Sequence, residues 1–115
     1  MEQACLAFPI LPGRGELARG FLGEIETARK ADYARSGQRL GLTKALWFLV
    51  DGVGGEQLVV YLESGDVEFA LDGLVRSRDP FDRWFKARLD EATGLDLNDP
   101  PEGTRPAALF AGYAA

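Results

Sequence analysis

The chain of 115 residues is long enough for one domain and too short for two hydrophobic cores of ordinary size. Its 46% hydrophobic and 27% charged residues are typical of a folded globular protein, which excludes a disordered or low-complexity chain. A net charge of −5 makes nucleic acid and anionic membrane surfaces unfavourable partners, because an acidic chain is repelled by phosphate groups.

The side chains that most often perform chemistry are scarce. The sequence has no histidine and a single cysteine, Cys5, so the commonest metal ligand and the commonest general base are missing. We therefore expect no metal and no cofactor. No stretch approaches the roughly 18 apolar residues of a membrane span, and the first residues lack a signal-peptide pattern, so we expect no membrane association and a cytoplasmic location.

The first part of the chain predicts a strand followed by a helix. Residues 4–11 are almost all apolar, which is typical of a short strand covered on both faces. From Gly15 onward, apolar residues recur at helical spacing opposite a charged side. We expect this helix to continue through Arg35 and to end near Gly37 or Gly41.

The middle of the chain predicts a β-hairpin whose two faces are both apolar. Residues 44–51 and 57–63 alternate as strands, and the glycine-rich residues 52–56 predict a connecting loop of about five residues. Helices in a small α+β domain cover one face of a sheet, so the other apolar face needs a second cover. A second copy of the same sheet is the simplest such cover.

The last part of the chain predicts two helices, a loop and a strand. Asp66 is a suitable N-cap for a short helix, and Asp79-Pro80 begins a second helix that ends at Gly94. Residues 96–105 are typical of a surface loop, and residues 107–113 are short and apolar enough for a closing strand.

The order of these elements predicts an α+β fold. Strand, helix, strand, strand, helix pair and strand is the ferredoxin-like βαββαβ order, with a four-stranded antiparallel sheet and the helices on one face. We expect residues 1–115 to form this single domain.

This arrangement resembles the dimeric α/β-barrel proteins, in which two ferredoxin-like protomers pack sheet against sheet. Within that group the chain is similar to a bacterial family of unknown function through four stretches: Arg39-Leu40-Gly41, Trp47-Phe48-Leu49, Leu58-Val59-Val60-Tyr61-Leu62-Glu63 and Asp79-Pro80-Phe81-Asp82-Arg83-Trp84-Phe85-Lys86. The resemblance implies a homodimer formed through the sheet face. The wider group includes cofactor-independent monooxygenases, small isomerases and haem-dependent enzymes, and the missing histidine disfavours the haem branch.

The resemblance also implies a ligand cavity between the sheet and its helices, and four residues are candidates to line it. Trp47 and Tyr61 combine an apolar ring with a polar tip, which suits the binding of a flat organic molecule. Arg39, with Tyr33 nearby in sequence, could bind a carboxylate. The alternatives are that the aromatic residues fill the core or a dimer interface and that Arg39 forms a surface ion pair.

Two functions remain open from the sequence. The first is a homodimer that binds a small organic ligand between helices and sheet, with a cofactor-independent monooxygenase-like or isomerase-like activity as its enzymatic form. The second is a dimeric interaction module without catalysis. Strand alternation shows which residues share a face, but it does not show which face the helices cover.

Overall fold

A computed structural model describes residues 1–101, 107–108 and 112–113 of the chain. Within these residues the fold is α+β, with four helices and a three-stranded antiparallel sheet that is extended at one edge by a two-residue strand. None of the helices in this part of the chain is both long and apolar enough to cross a membrane. The elements in chain order are β1 (Glu2–Pro9), α1 (Gly15–Glu26), α2 (Lys30–Leu40), β2 (Leu42–Gly52), β3 (Gly55–Ser64), α3 (Val67–Arg76), α4 (Pro80–Thr93) and β4 (Ala107–Ala108).

The sheet is built around β3 and β1. The strand order is β2-β3-β1-β4, and every neighbouring pair is antiparallel. Gly52 pairs with Gly55, so the β2–β3 hairpin has a loop of two residues and the predicted loop of about five residues is wrong. Gly55 has a φ of 110°, a conformation that glycine adopts readily because it has no Cβ. This conformation lets the chain reverse direction within two residues.

One face of the sheet is buried under the helices and forms the floor of the core. Its side chains come from three rows of cross-strand partners: Ala4, Leu62 and Ala45; Leu6, Val60 and Trp47; and Phe8, Leu58 and Leu49. Phe21 of α1 and Phe85 and Leu89 of α4 belong to the same buried cluster. This arrangement places Trp47 on the helix-facing side, which alternation alone could not decide.

The predicted single helix after β1 is interrupted at residues 27–29. Thr27 leaves helical geometry at φ −124° and ψ −89°, and its hydroxyl donates to the Gly23 carbonyl at 2.7 Å. The chain resumes as α2, which ends where Gly41 adopts a left-handed conformation at φ 79°. Because of the break, α1 packs against α4 while α2 packs against β2.

The predicted start of α3 and both predicted ends of α4 are confirmed. The Asp66 carboxylate accepts the Phe69 N–H at 3.0 Å, and Asp79 accepts the N–H of Phe81 at 2.9 Å. Gly94 ends α4 with a φ of 78°. Of the closing strand predicted over residues 107–113, residues 107–108 pair with β1, residues 112–113 are not part of a strand, and residues 109–111 lie outside the described residues.

Replacing Asp66 by alanine should lower the free energy of unfolding by about 1 kcal/mol, because the Phe69 N–H loses its cap. Denaturant unfolding of Asp66→Ala and Asp66→Asn provides the test. Asparagine can accept the same hydrogen bond, so Asp66→Asn should retain most of the stability. An equal loss in both variants would contradict a capping role.

Candidate functional site

A cavity of about 340 Å³ lies between the helix-facing side of the sheet and helices α2, α3 and α4. This volume falls within the range of small-molecule pockets, roughly 300–1,000 Å³. Most of its wall is aliphatic or aromatic, with these apolar members: Leu6, Phe8, Leu40, Leu42, Val60, Leu62, Ala70, Leu71, Leu74, Phe85, Leu89 and Leu97. The shape and composition of this wall suit an apolar molecule.

The cavity reaches solvent between α2 and the first residues of β2. The exposed residues of its wall are Ala34 and Gln38 on α2 and Thr43 and Lys44 on β2. The pairing register of β2 with β3 shifts between Leu42 and Lys44, which is a β-bulge at Thr43. Bulges occur preferentially at sheet edges and beside functional sites, because they redirect side chains locally.

The main polar feature of the inner wall is a hydrogen bond between two aromatic side chains. The indole N–H of Trp47 donates to the hydroxyl oxygen of Tyr33 at 2.7 Å, and both residues line the cavity. The Tyr33 ring is stacked on Phe85 with 6.1 Å between centroids, and Trp47 meets Phe85 edge-on at 5.9 Å. These ring contacts hold the hydroxyl in place.

The Tyr33 hydroxyl is a neutral hydrogen-bond donor at physiological pH. Burial raises the pKa of Tyr33 above its ordinary value, and the hydrogen bond from Trp47 lowers it by less. Trp47 donates a hydrogen bond to the Tyr33 oxygen, and no group among the described residues accepts a hydrogen bond from the Tyr33 O–H. The Tyr33 O–H can therefore donate a hydrogen bond to a bound molecule.

A buried carboxylate holds α2 against the rest of the molecule. Asp82 of α4 is 1% exposed and accepts the hydroxyls of Ser36 and Ser77, both at 2.5 Å. The Arg39 guanidinium lies 3.4 Å from both oxygens of Asp82 and 3.1 Å from Asp79. These contacts join α2, the α3–α4 connection and the first turn of α4.

Lys86 completes this polar cluster from the next turn of α4. Its ammonium is buried and donates to the carbonyls of Val75 at 3.1 Å and Ser77 at 3.0 Å. Burial lowers the pKa of Lys86, and the negative charge of Asp82 opposes that effect. Lys86 thus satisfies carbonyls at the C-terminal end of α3, where the helix itself supplies no donors.

The structure brings two of the four residues predicted from sequence together and separates the other two. Tyr33 and Trp47 share the cavity wall and a hydrogen bond. Arg39 lies outside the wall and pairs with acidic side chains. Tyr61 lies on the opposite face of the sheet, beside Cys5 and Leu46, where its hydroxyl donates to Glu63 at 2.6 Å.

Sequence reasoning did not identify the contribution of α3 to the cavity. Leu71 and Leu74 share helical spacing with Ala70, which predicts a buried face. That spacing does not show which neighbouring element the buried face meets. Packing of α3 beside α2 makes these residues part of the wall.

No protein-family model, no curated protein and no solved structure matches this chain. Within the described residues, no group of three or more His, Cys, Asp or Glu side chains is arranged to hold a metal ion.

Replacing Asp82 by alanine should lower the free energy of unfolding by at least about 2 kcal/mol, because the buried hydroxyl of Ser36 and the half-buried hydroxyl of Ser77 lose their acceptor and Arg39 keeps only Asp79 among its described partners. Thermal or denaturant unfolding measures the loss. Asp72→Ala is the matched control, since Asp72 is exposed and its one ion pair within the described residues is with Arg76, and its effect should stay within about 0.5 kcal/mol. Equal effects in the two variants would contradict a stabilising role for the buried cluster.

Proposed function

We propose that this protein binds a small, largely apolar organic molecule in the cavity between its sheet and helices α2, α3 and α4. The observation that carries the proposal is the hydrogen-bonded pair of Tyr33 and Trp47 in a mostly apolar cavity of about 340 Å³. Apolar walls contribute affinity by removing ligand surface from water, whereas a few fixed polar groups orient the ligand.

The proposed architecture around this site is the ferredoxin-like βαββαβ fold of a dimeric α/β barrel. Its support is the strand order β2-β3-β1-β4 with antiparallel neighbours, together with the resemblance of the Asp79–Lys86 stretch to the bacterial family. A cofactor-independent monooxygenase-like or isomerase-like reaction stays a prediction that rests on the resemblance. In such a reaction Tyr33 is the wall residue suited to donate a hydrogen bond to a substrate oxygen, because its raised pKa keeps the phenol neutral.

The uncovered face of the sheet favours a second function, that of a dimeric interaction module without catalysis. Three residues on this face of β2 are exposed, namely Leu46, Phe48 at 51% and Val50. Val59 and Tyr61 of β3 stand beside them in register. An apolar patch of this kind is typical of a protein–protein contact.

We propose that a second copy of the chain covers this face, in agreement with the dimer expected from sequence. The whole chain carries a net charge of −5, so two copies repel each other over most of their surface. The uncovered face is an exception, because the two charged residues that the described part of the chain places on it, Lys44 and Glu63, cancel and lie 3.8 Å apart. Two such faces can therefore meet without net repulsion. The cavity and the proposed dimer contact lie on opposite faces of the sheet and meet at Lys44, which is also part of the cavity mouth.

The ligand proposal predicts that narrowing the cavity will weaken binding. N-phenyl-1-naphthylamine, an uncharged dye whose fluorescence increases in apolar surroundings, should bind the native protein saturably with one site per chain. Leu74→Phe replaces an isobutyl group in the wall by a larger phenyl ring. It should weaken binding at least tenfold by steric exclusion.

Two controls separate this effect from a general loss of structure. Leu11→Phe makes the same change outside the cavity and should leave dye binding unchanged. Circular dichroism and thermal unfolding establish that each variant is folded. Absence of saturable binding to the native protein, or equal binding to all three proteins, would contradict the proposed function.

The dimer proposal predicts that a charge at the centre of the uncovered face will produce monomers. Sedimentation equilibrium at micromolar concentration should report a dimer for the native protein and a monomer for Phe48→Glu, because each dimer would bury two unpaired carboxylates. Phe69→Glu is the matched control: Phe69 is 64% exposed on α3, away from this face, and its variant should remain dimeric. A monomeric native protein would overturn the dimer.

A further inference from the structure

We infer that the cavity selects uncharged ligands that carry a hydrogen-bond-accepting oxygen, and that Tyr33 is the residue that recognises this oxygen. The carbonyl of an aromatic ketone is the simplest ligand group of this class. The inference rests on the proposed function, because it assumes that the cavity is a ligand site, and it adds the chemical class of the ligand.

The first support is the direction in which the Tyr33–Trp47 hydrogen bond runs. The Trp47 indole nitrogen can only donate, so the Tyr33 oxygen must act as the acceptor of this bond. The phenol retains one proton, and no described residue accepts it. A ligand that brings an acceptor would satisfy this proton, whereas a ligand that brings only donors would not.

The second support is the charge of the wall. Lys44 is the only charged residue among the described wall residues, and it lies at the exposed mouth, where it pairs with Glu63. Asp82 and Lys86, which lie behind the wall, are already occupied by Ser36, Ser77 and backbone carbonyls. An ion in the inner part of the cavity would lose its hydration without gaining a partner charge, which is strongly unfavourable. The inner part of the ligand is therefore uncharged.

The third support is the rigidity of the donor. The Tyr33 ring contacts both Phe81 and Phe85, and its oxygen is fixed by Trp47. Its raised pKa keeps the proton in place across the neutral range. A donor held in this way loses little conformational freedom when a ligand binds, so it discriminates between ligands that differ in one atom.

Two probes of nearly the same shape test the inference. 2-Acetylnaphthalene carries a carbonyl where 2-ethylnaphthalene carries a methylene, so the ratio of their dissociation constants reports on that oxygen. The ratio is measured for the native protein, for Tyr33→Phe and for Tyr61→Phe by displacement of N-phenyl-1-naphthylamine. Comparing ratios between proteins cancels the different hydrophobicities of the two probes.

Tyr33→Phe should weaken binding of the ketone relative to the hydrocarbon by about 2- to 10-fold, the value of one hydrogen bond. Tyr61→Phe removes a phenol on the opposite face and should leave the ratio unchanged. If both probes bind and Tyr33→Phe leaves the ratio unchanged, the inference is overturned while the proposed function stands. If neither probe binds the native protein, the proposed function fails together with the inference.

A second measurement keeps the test decisive if Tyr33→Phe does not fold. The infrared carbonyl band of bound 2-acetylnaphthalene should lie at lower frequency in the native protein than in a hydrocarbon solvent, because a hydrogen bond weakens the C=O bond. A band at the hydrocarbon frequency would overturn the inference without the use of any variant.

Discussion

The carboxylate of Asp82 is the constraint on which the arrangement of the helices depends. A charged group that is almost fully buried needs several donors, and Asp82 obtains them from Ser36, Ser77 and Arg39. Two of these donors belong to α2, which has few buried apolar residues of its own and is separated from α1 by the break at residues 27–29. The polar contacts thus compensate for the limited apolar packing of α2 and fix its position.

The position of α2 in turn creates the cavity. Protein interiors are usually packed to the density of organic crystals, so a mostly apolar cavity of about 340 Å³ that opens to solvent is a specific feature of this fold. The same helix carries Tyr33, whose hydroxyl meets Trp47 of β2 at the wall. Ser36, which bonds to Asp82, and Tyr33, the candidate binding group, lie one helical turn apart on α2 and both line the cavity.

The two faces of the sheet divide the proposed roles. The face under the helices contributes Trp47 to the cavity, and the opposite face exposes Leu46, Phe48 and Val50, which form the proposed dimer contact. Because alternate side chains of a strand point to opposite faces of the sheet, β2 contributes both to the cavity and to the proposed dimer contact. A small domain can in this way combine a ligand site with a dimer contact, since the two lie on opposite faces of one sheet and meet at Lys44.

The sequence by itself determined the α+β class, the strands of the hairpin, the caps at Asp66 and Asp79 and the helix end at Gly94, because these depend on local periodicity and on backbone groups a few residues away. The tertiary structure alone decided that Trp47 lies in the cavity and Tyr61 outside it, since both faces of the strands are apolar and alternation carries no information on which face is covered. It also decided that Arg39 meets Asp82, because 43 residues separate them and no local pattern encodes that distance.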